Sequence, residues 1–203
     1  VAATHSQGDK TPRTERGRKT LRKLLDAAAT EFAEKGFHEA SISGITRSAG
    51  VALGTFYTYF DSKDAVFRAL VSDMSAGVGK AAREALDPSM GALEIERVAL
   101  RAFLEFAAEH KEIYRIIDEA EFVDPDSYRA HYETIGSRIE ERLKLGGESG
   151  EFAPGLGTPE AWAVMGMNVF LGLRYVIWGR EGDPDFEEIA RRANMLLTRG
   201  IAS

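Results

Sequence analysis

The residue types with chemistry to offer crowd into one stretch, Ala40 to Lys63, which reads ASISGITRSAGVALGTFYTYFDSK. Ser41, Ser43, Thr55, Tyr57, Thr58 and Tyr59 bring hydroxyls close together, and Lys63 closes the stretch with a cation. Hydroxyls and cations reach phosphate oxygens and base edges, and an apolar side chain such as Leu53 meets a thymine methyl. Catalytic chemistry has no comparable foothold. The four histidines, His5, His38, His110 and His131, make no HExxH or similar metal pair. No serine sits in a nucleophile elbow, and there is no cysteine to ligate a metal or form a disulfide. No catalytic residue, metal site or cofactor is therefore expected.

A second set of residues points to a small-molecule pocket. Asn168 and Arg174 interrupt an otherwise apolar run, Ala161 to Gly179. An arginine deep in a bilayer costs roughly 2.5–3.5 kcal/mol, so the run reads as a buried core or interface helix and not as a membrane span. A buried arginine needs a partner. That partner is a ligand carboxylate or phosphate held bidentately, or a glutamate of this body or of a second subunit. Phe103, Phe106 and Tyr114, with Tyr128, His131 and Tyr132, are candidate walls from the preceding segments. Trp162, Met165, Leu171, Tyr175 and Trp178 are candidates from the same run as Asn168 and Arg174. Most of these side chains read first as plain core and only second as pocket wall. As a pocket they would suit a largely apolar ligand with one polar end, such as a fatty acid, an acyl-CoA or a flat aromatic.

The elements that position these groups follow from pattern and charge. The chain has 203 residues and a net charge of −6. Residues 1–63 hold 10 Lys/Arg against 7 Asp/Glu, a net of +3, while residues 64–203 hold 16 against 25, a net of −9. A basic end on an acidic body suggests a nucleic-acid-facing head. Residues 1–17 are polar and aperiodic and read as a disordered basic arm with no secretory signal. From Arg18 onward Leu21, Leu24, Leu25, Ala28, Phe32 and Ala33 share one helical face, and Gly36 supplies a left-handed stop. Ser41 caps a short helix, Ile42 to Ala49, although Gly44 stands where a capping box would place Glu. Gly50 permits the turn, and a second short helix runs from Ala52 to Phe60, anchored by Phe56 and Phe60. Asp61 and Ser62 open a longer helix to about residue 86.

Beyond it, Asp87-Pro88, Asp124-Pro125, Thr158-Pro159 and Asp183-Pro184 read as cap-then-proline helix starts. They punctuate the apolar runs Met90 to His110, Lys111 to Val123, Pro125 to Leu145, Pro159 to Trp178 and Pro184 to Ile201. Gly146 to Gly157 reads as a loop. No segment alternates like a strand.

On these residues the stretch from Leu24 to Met74 resembles the N-terminal domain of the TetR family of bacterial transcriptional regulators. The matching pieces are LLDAAATEFAEKGF, SISGITRSAGVALGTFYTYF and DSKDAVFRAL, with Gly50 to Phe60 fitting the family's G-V-x-x-G-T-[LF]-Y-x-[YH]-F core. The resemblance implies that the second short helix enters the major groove, with Leu53, Gly54, Thr55, Tyr57 and Thr58 on or near the reading face. It implies that Tyr59 and Lys63 touch phosphates. Ser41 and Ser43 would hold a phosphate at the N-terminus of the supporting helix, and Arg18, at the start of the first helix, would join them. Three departures stand out. Ala52 replaces a capping Ser, Leu53 replaces a common Lys, Arg or Pro, and Thr46 replaces a small apolar residue at the helix crossing.

The expectation is therefore an all-α protein. A three-helix helix-turn-helix head, residues 18–63, precedes a larger ligand-binding and dimerisation body, residues 64–203, linked by the helix at about 62–86. As a cytoplasmic homodimeric repressor it would bind a pseudo-palindromic double-stranded DNA operator and release it on meeting a small apolar or amphipathic effector. The homodimer is expected because the helix after Pro159 is apolar nearly all round and must be buried on two sides. A helical dimer that binds small molecules or protein but does not read DNA is the alternative.

Overall fold

The computed structural model describes Lys10 and residues 12–200, Arg199 by its backbone alone. These residues form helices and no strand. The helices are α1 Glu15–Glu39, α2 Ile42–Ala49, α3 Leu53–Tyr59, α4 Lys63–Ala85, α5 Ala92–Glu109, α6 Glu112–Val123, α7 Pro125–Ser149, α8 Thr158–Gly172 and α9 Phe186–Gly200. A π-helical turn, Leu173–Ile177, extends α8. None of the described helices is long and apolar enough to cross a membrane.

Most of the expected disordered arm, residues 1–9 and 11, lies outside the described residues, as does Ile201. Where the arm is described, helix begins at Glu15 and not at Arg18, because the Thr14 side chain accepts the Gly17 N–H as an N-cap. The expected loop after Leu145 also starts later. Gly146 and Gly147 stay helical within α7, and Gly146 is buried where the ring of Phe152 leaves no room for a Cβ. Two of the four proline-marked starts, at Pro125 and Thr158, begin helices as expected. The other two fall in turns. Asp87 accepts from Ser89 ahead of α5, and Asp185, not Asp183, receives the Glu188 N–H at the start of α9.

The chain divides into two compact units. One runs to Ser72 and takes in Arg115–Ser127; the other comprises Asp73–Tyr114 and the chain from Tyr128 onward. The first unit is therefore larger than the expected head, since it gains the start of α4 and most of α6. Its core is aromatic. Phe32, Phe37 and Phe67 lie with ring centroids 5.1–5.8 Å apart, and all three are buried. Ile116, Ile117 and Ala120 of α6 are buried too. The Glu119 carboxylate accepts the Phe37 N–H at 2.9 Å, beside Gly36. Gly36 has φ 76°, a conformation that side-chain-bearing residues rarely adopt, and a Cβ there would lie 2.7 Å from that carboxylate.

The second unit holds two apolar clusters. Leu100, Leu104 and Ala107 of α5 pack with Ile189, Ala190 and Ala193 of α9. Ile139 and Leu143 of α7 pack with Phe152 and with Ala161, Val164 and Met165 of α8. Between α5 and α7, Arg142 grips the buried carboxylate of Glu96 through Nε at 2.5 Å and Nη2 at 3.0 Å.

Candidate nucleic-acid interface and ligand cavity

The helix-turn-helix is locked from α1. The Ser41 hydroxyl oxygen accepts the Gly44 N–H at 3.0 Å, which is half of a capping box. The other half comes from outside the motif. The buried Glu31 carboxylate accepts the Ser41 N–H at 3.2 Å and the Lys35 ammonium at 2.8 Å. A Cβ at residue 44 would collide with that carboxylate, so glycine stands at this position because α1 supplies the acid. Burial pushes the Glu31 carboxyl up, but the hydrogen bonds from Lys35 and Ser41 outweigh it and hold the group below its usual range. Gly50, at φ 65°, ends α2 in the left-handed conformation. Ala52 starts α3 without a side-chain cap, as its sequence implied.

Phe56 and Phe60 are buried and anchor α3. Beside these anchors the helix is open, with Leu53 51% and Tyr57 48% exposed. Gly54 and Thr58 are exposed beside them and Thr55 is half-buried. The Thr58 hydroxyl donates back to the Gly54 carbonyl at 3.3 Å. Tyr57, which the sequence left open between core and surface, is at the surface.

The residues expected at phosphates also make contacts within the protein. Lys63 donates to the carbonyls of Phe37 at 2.7 Å, His38 at 3.0 Å and Ala40 at 3.0 Å, which uses all three ammonium protons. It ties down the end of α1, a structural role that the sequence did not suggest. The Tyr59 hydroxyl donates to Gly17 O at 3.2 Å and seats α3 on the first turn of α1. Arg18 pairs with Glu15 at 2.9 Å and donates to Arg13 O. The Ser41 hydroxyl is occupied by its cap, and Ser43, also exposed, donates to it at 3.3 Å. The exposed cations Arg16 and Lys19 lie on the α1 turns that Tyr59 seats, and Arg47 is exposed on α2. Arg47 is the one basic residue between Ala40 and Ser62 and was not among the expected site residues.

Among the described residues, the expected ligand residues are divided between one cavity and other positions. A cavity of about 70 Å3 lies among α4, α5, α7 and α8 of the second unit and is lined by Phe103, Met165 and Asn168 from the expected set. Arg174 is elsewhere. Its guanidinium makes a bidentate pair with Asp183 at 2.9 and 3.0 Å and lies 4.6 Å from the Tyr175 ring centroid. Asp183 is free for this because Asp185 caps α9. Hydrogen bonding from Arg174 holds the Asp183 carboxyl below its usual range. Tyr114 donates to Val169 O at 3.0 Å, and Leu171 and Tyr175 pack against the α5–α9 cluster. Phe106 stacks near His110 at 4.5 Å, and Tyr128 and Tyr132 meet edge to face at 5.0 Å. Trp162 and Trp178 are largely exposed.

His131 is buried, with Nδ1 2.5 Å from the Ser75 hydroxyl oxygen. Burial lowers its pKa from 6.5 to about 4. The unfolded chain therefore takes up a proton at this ring below about pH 6.5, whereas the folded chain does so only near pH 4. Stability is expected to fall as pH drops through that window, by up to about 3 kcal/mol at this one residue. Urea denaturation at pH 7, 6, 5 and 4.5 checks this. His131→Gln should flatten the dependence, and equal pH slopes for the two proteins would contradict it.

Residues 24–70 match the family model described as bacterial regulatory proteins, tetR family. Two relatives come from Bacillus subtilis (strain 168). YhgD, described as an uncharacterized HTH-type transcriptional regulator, is 25% identical over 185 residues, covering 89% of this chain and 95% of YhgD. YdgC, with the same description, is 32% identical over 105 residues, covering 50% of this chain and 54% of YdgC, so that alignment spans about half of the relative. Among solved structures, the transcriptional regulator FadR from Bacillus subtilis in complex with stearoyl-CoA superposes with a TM-score of 0.75. It is 22% identical, with 89% of this chain and 98% of that one covered, a likeness of fold.

Proposed function

We propose, from the match of residues 24–70 to the tetR family of bacterial regulatory proteins, that the chain is a TetR-type transcriptional regulator acting as a dimeric repressor. In this reading α3 of each subunit enters the major groove of a pseudo-palindromic operator, and a small amphipathic effector in the second unit releases it. The observation that carries the proposal is the contrast within α3 between anchored and open side chains. Phe56 and Phe60 are buried, whereas Leu53, Tyr57 and Thr58 are left exposed by the described residues. An exposed face of that composition suits base edges, thymine methyls and sugar-phosphate. Arg16, Lys19 and Arg47 supply the cations that a phosphate backbone attracts.

A second copy of the chain suits the exposed apolar side chains of α8 and α9. Phe170 is 70% and Leu196 67% exposed, and Trp162 lies two helical turns from Phe170 on the same face. The effector reading draws on the apolar-walled cavity and on the stearoyl-CoA complex of the FadR with the same fold. Because α4 contributes residues to both units, a ligand that displaces its far end would act on the start of the same helix. A coupling of about 1–3 kcal/mol suffices for release. Such a repressor works in the cytoplasm, where its operator is.

Selection from a random duplex library at low salt, followed by gel shift, tests the reading. Paired half-sites one or more helical turns apart, about 10–10.5 bp each, are expected from a dimer. Arg16→Ala with Lys19→Ala should weaken binding to every sequence and make the slope of log K against log salt shallower by about 1–2. Leu53→Ala and Tyr57→Phe should change which sequences are selected. Single half-sites would remove the dimer. Absence of duplex binding at low salt would remove the repressor and favour the helical ligand- or protein-binding dimer.

A further inference from the structure

The α4–α5–α7–α8 cavity has walls that are nearly all hydrocarbon, among them Val78, Ala99, Phe103, Ile139 and Met165. Two arginines of α7 also line it, and they are in opposite situations. Arg142 is satisfied by the Glu96 carboxylate. Arg138 is not. Its Nη1 is buried and has no hydrogen-bond partner among the described residues. The residue as a whole is half-buried, but a guanidinium cannot shed its charge, and a buried donor without an acceptor is costly. Such a group is retained when something else supplies the acceptor. Asn168, on the facing helix, is the one further polar side chain in the lining apart from these arginines.

We propose that Arg138 is the anchor for the effector's head group, and that the effector is an apolar chain ending in a carboxylate. The inference rests on the effector reading given above and deepens it. The observations favour a carboxylate on three grounds. The unpaired group is a cation in an apolar setting, so the ligand's polar end is anionic. The guanidinium fork matches a planar carboxylate, with Asn168 placed to donate to the same group. The space, about 70 Å3, accommodates a compact head group, and a chain must part the apolar walls to follow it.

The geometry also gives the anchor a route to α4. Arg138 lies against Gly79, so closely that a Cβ there would overlap its Nη1. Glycine at this point of α4 is what lets the guanidinium rest on the helix backbone. A carboxylate that draws the guanidinium toward itself takes it off α4, and a chain entering beside Val78 and Ala82 pushes the same helix from its own side.

The test uses the full-length protein and saturated carboxylic acids of graded chain length, with the alcohols and coenzyme A thioesters of the same chains. Binding is followed by calorimetry and by release of a selected DNA duplex. At least one acid should bind and release DNA, with its alcohol about tenfold weaker or worse, the cost of one charge-assisted contact. Arg138→Met should weaken the acid by a similar factor and leave the alcohol unchanged. Arg138→Lys should recover part of the acid's affinity, because it keeps the charge and loses the fork. Arg174→Met should leave the acid's affinity as it was. The melting temperature without ligand separates anchor from strut. Removing an unpaired buried charge should hold or raise it, whereas loss of a structural arginine would lower it.

If acid and alcohol bind equally, or if Arg138→Met binds the acid normally, the anchor is wrong and the effector reading stands. If only the thioesters bind, the carboxylate is wrong. If no acid, alcohol or thioester binds while DNA is still held, the anchor and the amphipathic effector fall together and the DNA-binding reading survives.

Discussion

Arg142→Met is expected to destabilise the second unit by about 3–5 kcal/mol, the cost of stripping one partner from a buried ion pair. The Glu96 side chain is 1% exposed, and Arg142 provides both of its side-chain contacts through Nε and Nη2. Methionine keeps most of the arginine's length and its apolar packing, so the loss comes chiefly from leaving a carboxylate in hydrocarbon without its countercharge. Domains have only about 5–15 kcal/mol of net stability, so this one change takes a large share of it. Urea denaturation followed by helical circular dichroism at pH 7 measures the loss. The double variant Glu96→Leu/Arg142→Met supplies the internal check. Replacing a whole buried pair with apolar residues is often neutral or stabilising, so the double variant should regain most of what the single one loses. If single and double variants are equally unstable, the loss is one of packing and not of charge.

The pair shows what a sequence conceals. Glu96 and Arg142 are 46 residues apart on helices whose patterns read as amphipathic, and each would ordinarily be assigned to a solvated face. Arg138, one turn before Arg142, is hidden for the same reason. Local signals were legible. The Ser41 cap, the Gly50 turn, the buried Phe56 and Phe60 and the missing cap at Ala52 all appear where residue type and spacing placed them. Legibility ends where the partner is distant in the chain. The acid completing the Ser41 cap is Glu31 of α1, and the acid holding the end of α1 is Glu119 of α6, 82 residues from Phe37. Arg174 is the converse case. Asp183 was in plain view nine residues away, but its reading as a helix cap concealed it, because Asp185 competes for that role two residues later.

Lys63→Met is expected to lower the stability of the first unit by about 2–3 kcal/mol, the worth of charge-assisted bonds to carbonyls that are then left without a donor. The ammonium reaches Phe37, His38 and Ala40 carbonyls at 2.7–3.0 Å and stands 4.6 Å from the Phe37 ring centroid. These carbonyls follow the left-handed break at Gly36, where the ordinary helical ladder no longer supplies donors. A cation at the negative end of a helix adds further stabilisation through the dipole. The resemblance to other heads of this kind implies a different role, a direct phosphate contact, and the two roles separate cleanly in measurement. A lysine that only neutralises phosphate leaves the melting temperature unchanged when lost and makes the salt slope of DNA binding shallower by about one. A lysine committed to three carbonyls lowers the melting temperature. DNA affinity then falls because α1 and α3 are no longer held in register, with the salt slope preserved. A shallower slope at constant melting temperature would return Lys63 to the DNA.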